Sequence, residues 1–136
     1  TGQFGVENCI NFQAGHAHDR YVCLNGARAT DGFLDALASH DKISQVALID
    51  EWRDLGFAVT LDTPAKLWRA PIFTVSLSEG GFEKVYQGTA LLSIWDVALE
   101  PGKPQSITFT FTVASASQLS ALSSDAGAPA KLSEAN

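Results

Sequence analysis

A chain of 136 residues is long enough to bury one core without disulfides or metals, and a single domain is expected. It is 46% hydrophobic and 18% charged, the balance of a globular domain rather than a disordered one. A formal charge of −6, with Lys and Arg scattered singly, argues against a nucleic-acid partner, and no apolar run is long enough for a membrane helix.

Phe4 to Phe12 alternates, with Phe4, Val6, Asn8, Ile10 and Phe12 on one face, and predicts a half-buried strand. The stretch AGHAHDR reads as a loop, and Tyr21 to Leu24 as a short strand ending at Asn25-Gly26. Both residues of that pair tolerate positive φ, which makes it a strong turn signal. Thr30 to Ser39 is expected to be loop, because Gly32 weakens its helical pattern. Val46 to Trp52 and Leu55 to Asp62 read as strands joined tightly at Arg53-Asp54, and Thr63-Pro64 is expected to break the pattern. Leu67 to Leu77 looks extended, with Pro71 directing that part to a sheet edge or bulge. After a turn at Glu79-Gly80-Gly81-Phe82, Glu83 to Leu99 is extended and expected to divide near Gly88. Pro101 to Pro104 is a further turn. Ser106 to Val113 then alternates without error, with Ile107, Phe109, Phe111 and Val113 predicted inward and the threonines outward. About seven or eight short strands parted by turns predict an all-β antiparallel sandwich over residues 1–113 rather than a βαβ fold. Residues 114–136 are rich in Ala and Ser and lack aromatics, so they are expected to form a tail or linker. With no methionine, and a start at Thr1, the chain is expected to be part of a longer product.

Function is sought first between Lys66 and Trp95, where tryptophan, tyrosine, carboxylates and a Gly-Gly turn are most densely mixed. Sugars are held by flat aromatic faces bordered by carboxylates and amides, which makes Trp52, Trp68, Glu79, Glu83, Tyr86 and Gln87 the carbohydrate-binding candidates. Against this, tryptophans on strands serve cores more often than ligands, and Trp95, with Leu91, Val97 and Leu99 on its face, is expected inside. Glu79 and Glu83 have the residue types of a glycosidase pair but flank one turn, so no catalytic role is assigned to them. His16 and His18 next to Asp19 and Arg20 form a second polar cluster without a third metal ligand, and no metal or cofactor is expected. Cys9 and Cys23 could be bridged if their strands pair, and otherwise read as buried reduced thiols.

The segments FGVENCINFQAG, DRYVCLNG and LIDEWRDLGFAVTLDTPAKLWRAPIFTVSLSEGGFEKVYQGTALLSIWDVALEPG carry a resemblance. They are similar to the carboxy-terminal β-sandwich domain of the α-amylase/4-α-glucanotransferase enzymes of glycoside hydrolase family 57. The most specific part is LWRAPIFTVSLSEGGFEKVYQG, similar to that family's W-x-x-P-x-x-T-V-S-x-S-E-x-G-F-E-x-x-Y-Q-G pattern. The resemblance implies a galactose-mutarotase-like or carbohydrate-binding-module-like sandwich attached to a (β/α) barrel that cleaves or transfers α-1,4-glucan chains. It places the catalytic groups in that barrel, so this chain is expected to be non-catalytic, with the catalytic domain and an α-glucan as partners and a cytoplasmic location. The family keeps the Asp-Arg-Tyr part, which implies that Asp19 and Arg20 form a structural ion pair or anchor the loop, and both also stand among the carbohydrate-binding candidates. Two alternatives stay open: a purely structural domain, and a mutarotase-like enzyme using His16 or His18.

Overall fold

The computed structural model describes residues 1–125. Its elements run β1 (Gly2–Ile10), β2 (Arg20–Leu24), β3 (Ala27–Arg28), β4 (Ala38–Asp50), β5 (Leu55–Ser78), β6 (Gly81–Val97), β7 (Phe109–Ala114) and α1 (Ala116–Asp125). The strands pair antiparallel in one sheet of order β1-β6-β5-β4-β2-β3, and β7 also pairs with β5. The fold is all-β, antiparallel and sandwich-like, as the strand-and-turn spacing predicts. No helix of the described residues is long and apolar enough to cross a membrane.

The organising strand is β5, whose 24 residues would span roughly 80 Å if straight. Thr63-Pro64 does not end it, contrary to the sequence expectation. Along one edge β5 pairs with β7 from Gly56 to Leu61 and with β6 from Lys66 onward. On the other edge β4 shifts register between Ile43 and Gln45, close to the same level. Pro64 therefore falls in a gap between partners, where its missing N–H costs no ladder bond. Pro71 lies past the last β4 pair, Ala38 with Arg69, and so on the edge that its chemistry requires.

The expected division of β6 near Gly88 is a bulge instead. Ile72 faces Gly88 and Phe73 faces Tyr86, which leaves Gln87 as the extra residue. Gly88 is required there, since a Cβ on it would stand 3.0 Å from the Ile10 carbonyl oxygen of β1. The Asn25-Gly26 turn forms as predicted, with φ of 48° and 84°. Its Asn25 side chain also ties down the β4 irregularity: Oδ1 accepts from the Ser44 and Gln45 amides at 2.8 and 3.1 Å, and Nδ2 donates to Lys42 O at 3.0 Å.

Alternation along the strands gives the sheet two apolar faces. On the inner face Val22, Val46, Leu48, Val59, Leu61, Leu67, Leu91 and Trp95 form the main core, and Phe12 and Leu34 from the loops join it. The loop over residues 29–37 is fastened to this face by Thr89 Oγ1 donating to Leu34 O at 2.6 Å. On the outer face Tyr21, Ala47, Ile49 and Ala58 meet Ala116 and Leu119 of α1. That helix starts where a tail or linker is expected. Ser115 and Gln118 cap it reciprocally, the Gln118 amide donating to Ser115 Oγ at 3.2 Å and the Ser115 amide to Gln118 Oε1 at 3.1 Å. The rest of the expected tail, 126–136, lies outside the described residues. The inward assignment of Ser106 to Val113 holds only at its start. Ile107 and Phe109 pack on the core, whereas Phe111 and Val113 are 53% and 69% exposed.

Candidate functional site

At the β4–β5 end, the buried Asp50 organises the turn. Its Oδ1 accepts the Arg53 amide at 3.0 Å, and its Oδ2 lies 3.3 Å from Arg20 Nε. That contact pairs the charges without the alignment of a hydrogen bond. Arg20 also donates through Nη1 to Asp19 Oδ1 at 3.1 Å, and Asp19 O accepts the Glu51 amide at 2.8 Å. Asp19 and Arg20 thus anchor the loop to the strand end. Tyr21 OH donates to Glu51 Oε1 at 2.8 Å, and the Arg28 guanidinium lies 4.0 Å over the Tyr21 ring. Burial first, and the Glu51 carboxylate second, push the Tyr21 phenol above its ordinary pKa. Trp52 stands at the tip of this turn, 77% exposed, next to Arg53, which donates through Nη2 to Gln13 Oε1. The turn presents a bare indole beside a guanidinium and an amide.

The other candidates lie elsewhere. Trp68 is 49% exposed in the middle of β5, opposite Ser39 and Leu92 and roughly 40 Å along the strand from the Trp52 turn. Glu79 and Glu83 are exposed near the far end of the β5–β6 hairpin, and neither carboxylate makes a hydrogen bond or ion pair among the described residues. Tyr86 is half-buried, and its OH lies 2.6 Å from Thr89 Oγ1. Thr89 spends its one hydroxyl proton on Leu34 O, so Tyr86 is the donor in that pair. Its ring packs so close to Gly15 that a Cβ there would be 2.8 Å away, which gives Tyr86 a structural role in seating the loop. Gln87 is exposed and donates to Thr74 Oγ1 at 3.1 Å. Trp95 is buried, as expected, with Nε1 donating to Thr63 O at 2.9 Å. The structure therefore gathers Asp19, Arg20 and Trp52 at one end and spreads the remaining five candidates along the hairpin.

Beyond the body the hairpin forms a two-stranded arm. Its register puts Phe73, Val75, Leu77, Phe82, Lys84 and Tyr86 on one face. Val75, Leu77 and Phe82 are 64%, 77% and 83% exposed, and Lys84 Nζ lies 3.9 Å over the Phe73 ring.

His16 stacks on Phe33 with ring centroids 3.9 Å apart, and its Nδ1 is 3.1 Å from Asp35 Oδ1. No group of three or more His, Cys, Asp or Glu side chains that could hold a metal converges among the described residues. Cys9 and Cys23 are both free. Their strands do not pair, since β6, β5 and β4 separate β1 from β2, and Cys9 is exposed rather than buried.

A family model described as "Alpha-amylase/4-alpha-glucanotransferase, C-terminal" matches residues 1–109. The chain belongs to this family. It is 53% identical over 115 residues to Alpha-amylase 1 of Dictyoglomus thermophilum, across 81% of the chain and 15% of that protein. The chain thus spans a small part of the length of the relative that it matches. No solved structure matches it. Within this family member, sequence reasoning overlooks Arg69, which is fully buried. Arg69 donates to Asp31 O at 2.6 Å, to Phe33 O at 3.5 Å and through Nε to His40 Nε2 at 3.1 Å, and so clamps the loop. The available signal is its parity, since Leu61, Ala65, Leu67 and Arg69 share the inward register of β5.

Proposed function

We propose that the chain is a non-catalytic domain of an α-glucan-processing enzyme and that it works by packing against the catalytic domain. The observation that carries this reading is the arm, where Val75, Leu77 and Phe82 stand on one face far more exposed than apolar side chains gathered in a patch ordinarily are. Membership in a family of carboxy-terminal domains supports it, as does the small share of the relative that the chain spans. In the parent enzyme, the double substitution Leu77→Ser, Phe82→Ser should shorten the half-life of thermal inactivation on the order of tenfold or more, since covering such a side chain contributes about 1.5–3 kcal/mol. An unchanged half-life would overturn the reading.

A second reading is carbohydrate binding, favoured by the exposure of Trp52 beside Arg53 and Gln13. An indole face stacks on a pyranose ring while the guanidinium and amide meet its hydroxyls. This narrows the sugar-contacting set to the turn, because Trp68, Glu79 and Glu83 stand apart from it and Tyr86 faces inward.

A further inference from the structure

We infer that the arm formed by β5 and β6 reaches across to a second copy of the parent enzyme and lies on that copy's catalytic domain. The inference rests on the docking reading above and adds to it which molecule supplies the surface. The last β4 pair is Ala38 with Arg69, and the last β1 pair is Ile10 with Thr89. Past both, β5 and β6 pair only with each other among the described residues. Their pairing runs from Ile72 with Gly88 to Ser78 with Gly81, so the tip is held out from the body by roughly 20 Å.

Alternation divides the arm into two faces. Val75, Leu77 and Phe82 lie on one, and their exposure climbs toward the tip, from 64% through 77% to 83%. Lys84, on the same face, rests over the Phe73 ring near the base. Thr74, Ser76, Ser78 and Glu83 lie on the other face. One apolar and one polar face suit an arm laid on a surface with its back in water, rather than one sunk in a core. The want of cover is greatest where the body of this chain is farthest away.

The occupant follows from where this chain joins other polypeptide. Gly2 pairs with Val97, which puts it roughly 50 Å along β6 from Phe82. Helix α1 packs on Ile49 and Ala58, roughly 60 Å along β5 from Leu77. Polypeptide continuous with this chain on either side therefore attaches at the end opposite the tip, and the arm points away from it. The relative extends far beyond the stretch matched here, so a second copy of so long a protein has surface to meet the arm. Three side chains fall short of the roughly 800 Å² per partner that a stable interface buries. Exchange about a two-fold axis, with each copy giving one arm and receiving one, doubles the contact and closes the pair.

The test places p-benzoylphenylalanine at the exposed Phe82 position of the parent enzyme. On irradiation the product should run at the mass of two chains under denaturing conditions, and digestion should show position 82 joined to a peptide outside residues 1–136. A product that keeps the mass of one chain, joined to such a peptide, would overturn the exchange and leave docking by the arm. A cross-link to residues 1–136 of either copy, or none at all, would overturn both. As a second measurement, Leu77→Ser, Phe82→Ser should shift the sedimenting species at micromolar concentration from two chains to one. A parent enzyme that sediments as a single chain, or a double variant that still sediments as two, would overturn the inference.

Discussion

A buried arginine is costly unless its donors find partners, and Arg69 finds three, two carbonyl oxygens and the Nε2 of His40. To accept that bond His40 must be neutral at Nε2. Burial, followed by the adjacent Arg69 charge, holds its pKa below the ordinary 6.5, with Asp41 opposing. The unfolded chain therefore binds more protons than the folded one on the acid side of that value. The His40 contribution is complete above about pH 6.5 and is lost as the pH falls toward the lower folded pKa. The melting temperature should accordingly drop between pH 7.5 and pH 5.5, and His40→Gln, which keeps an acceptor, should flatten that drop. Equal slopes in the two proteins would show that the Arg69–His40 contact does not report on acid stability.

Helix α1 shows how few side chains can dock an element. Of its described side chains Ala116 and Leu119 are buried, three residues apart on one face. Gly56 leaves the room for this contact, since a Cβ there would come within 2.3 Å of Leu119 Cδ1. Leu119→Ala should lower the unfolding free energy by about 2–5 kcal/mol in a denaturant titration. A change within experimental error would mean that the outer face is stable without the helix. The sequence reading misses this helix because it judges the whole Ala/Ser-rich segment by average composition, whereas two correctly spaced apolar residues suffice. Elements written in local chemistry are legible: Asn25-Gly26 declares its turn, and Pro71 its edge. Pro64 misleads because its cost depends on which strands lie beside it, and this is a property of the assembled sheet. Phe111 and Val113 misled in the same way, because alternation shows which face a residue takes and not whether anything covers that face.

At the scale of the whole molecule, β5 joins the two surfaces proposed above to carry function, the Trp52 turn at one end and the projecting arm at the other. If the turn meets glucan, Trp52→Ala should abolish retardation in an amylose-containing native gel, while Trp68→Ala leaves it unchanged. Unaltered mobility of Trp52→Ala relative to the parent sequence would remove the sugar-binding reading. The candidate site was legible in its residue types but not in its grouping. Sequence proximity places Trp68 with Glu79, Glu83, Tyr86 and Gln87, whereas the hairpin strings them out along its length and turns Tyr86 inward. Asp19 and Arg20, distant from Trp52 in sequence, are brought beside it by the pairing of β2 with β4.

The pairing of β1 with β6, from Gly2 opposite Val97 to Ile10 opposite Thr89, also has a consequence for biosynthesis. Within the described residues, the first strand to be synthesised is matched to one of the last. At about 5–20 residues per second it waits on the order of 5–20 s before its partner has been translated. Throughout that interval an alternating ribbon bearing Phe4, Val6 and Ile10 is open to capture by nascent neighbours on the same message, so the yield of this protein should depend on chaperone supply more than its size suggests.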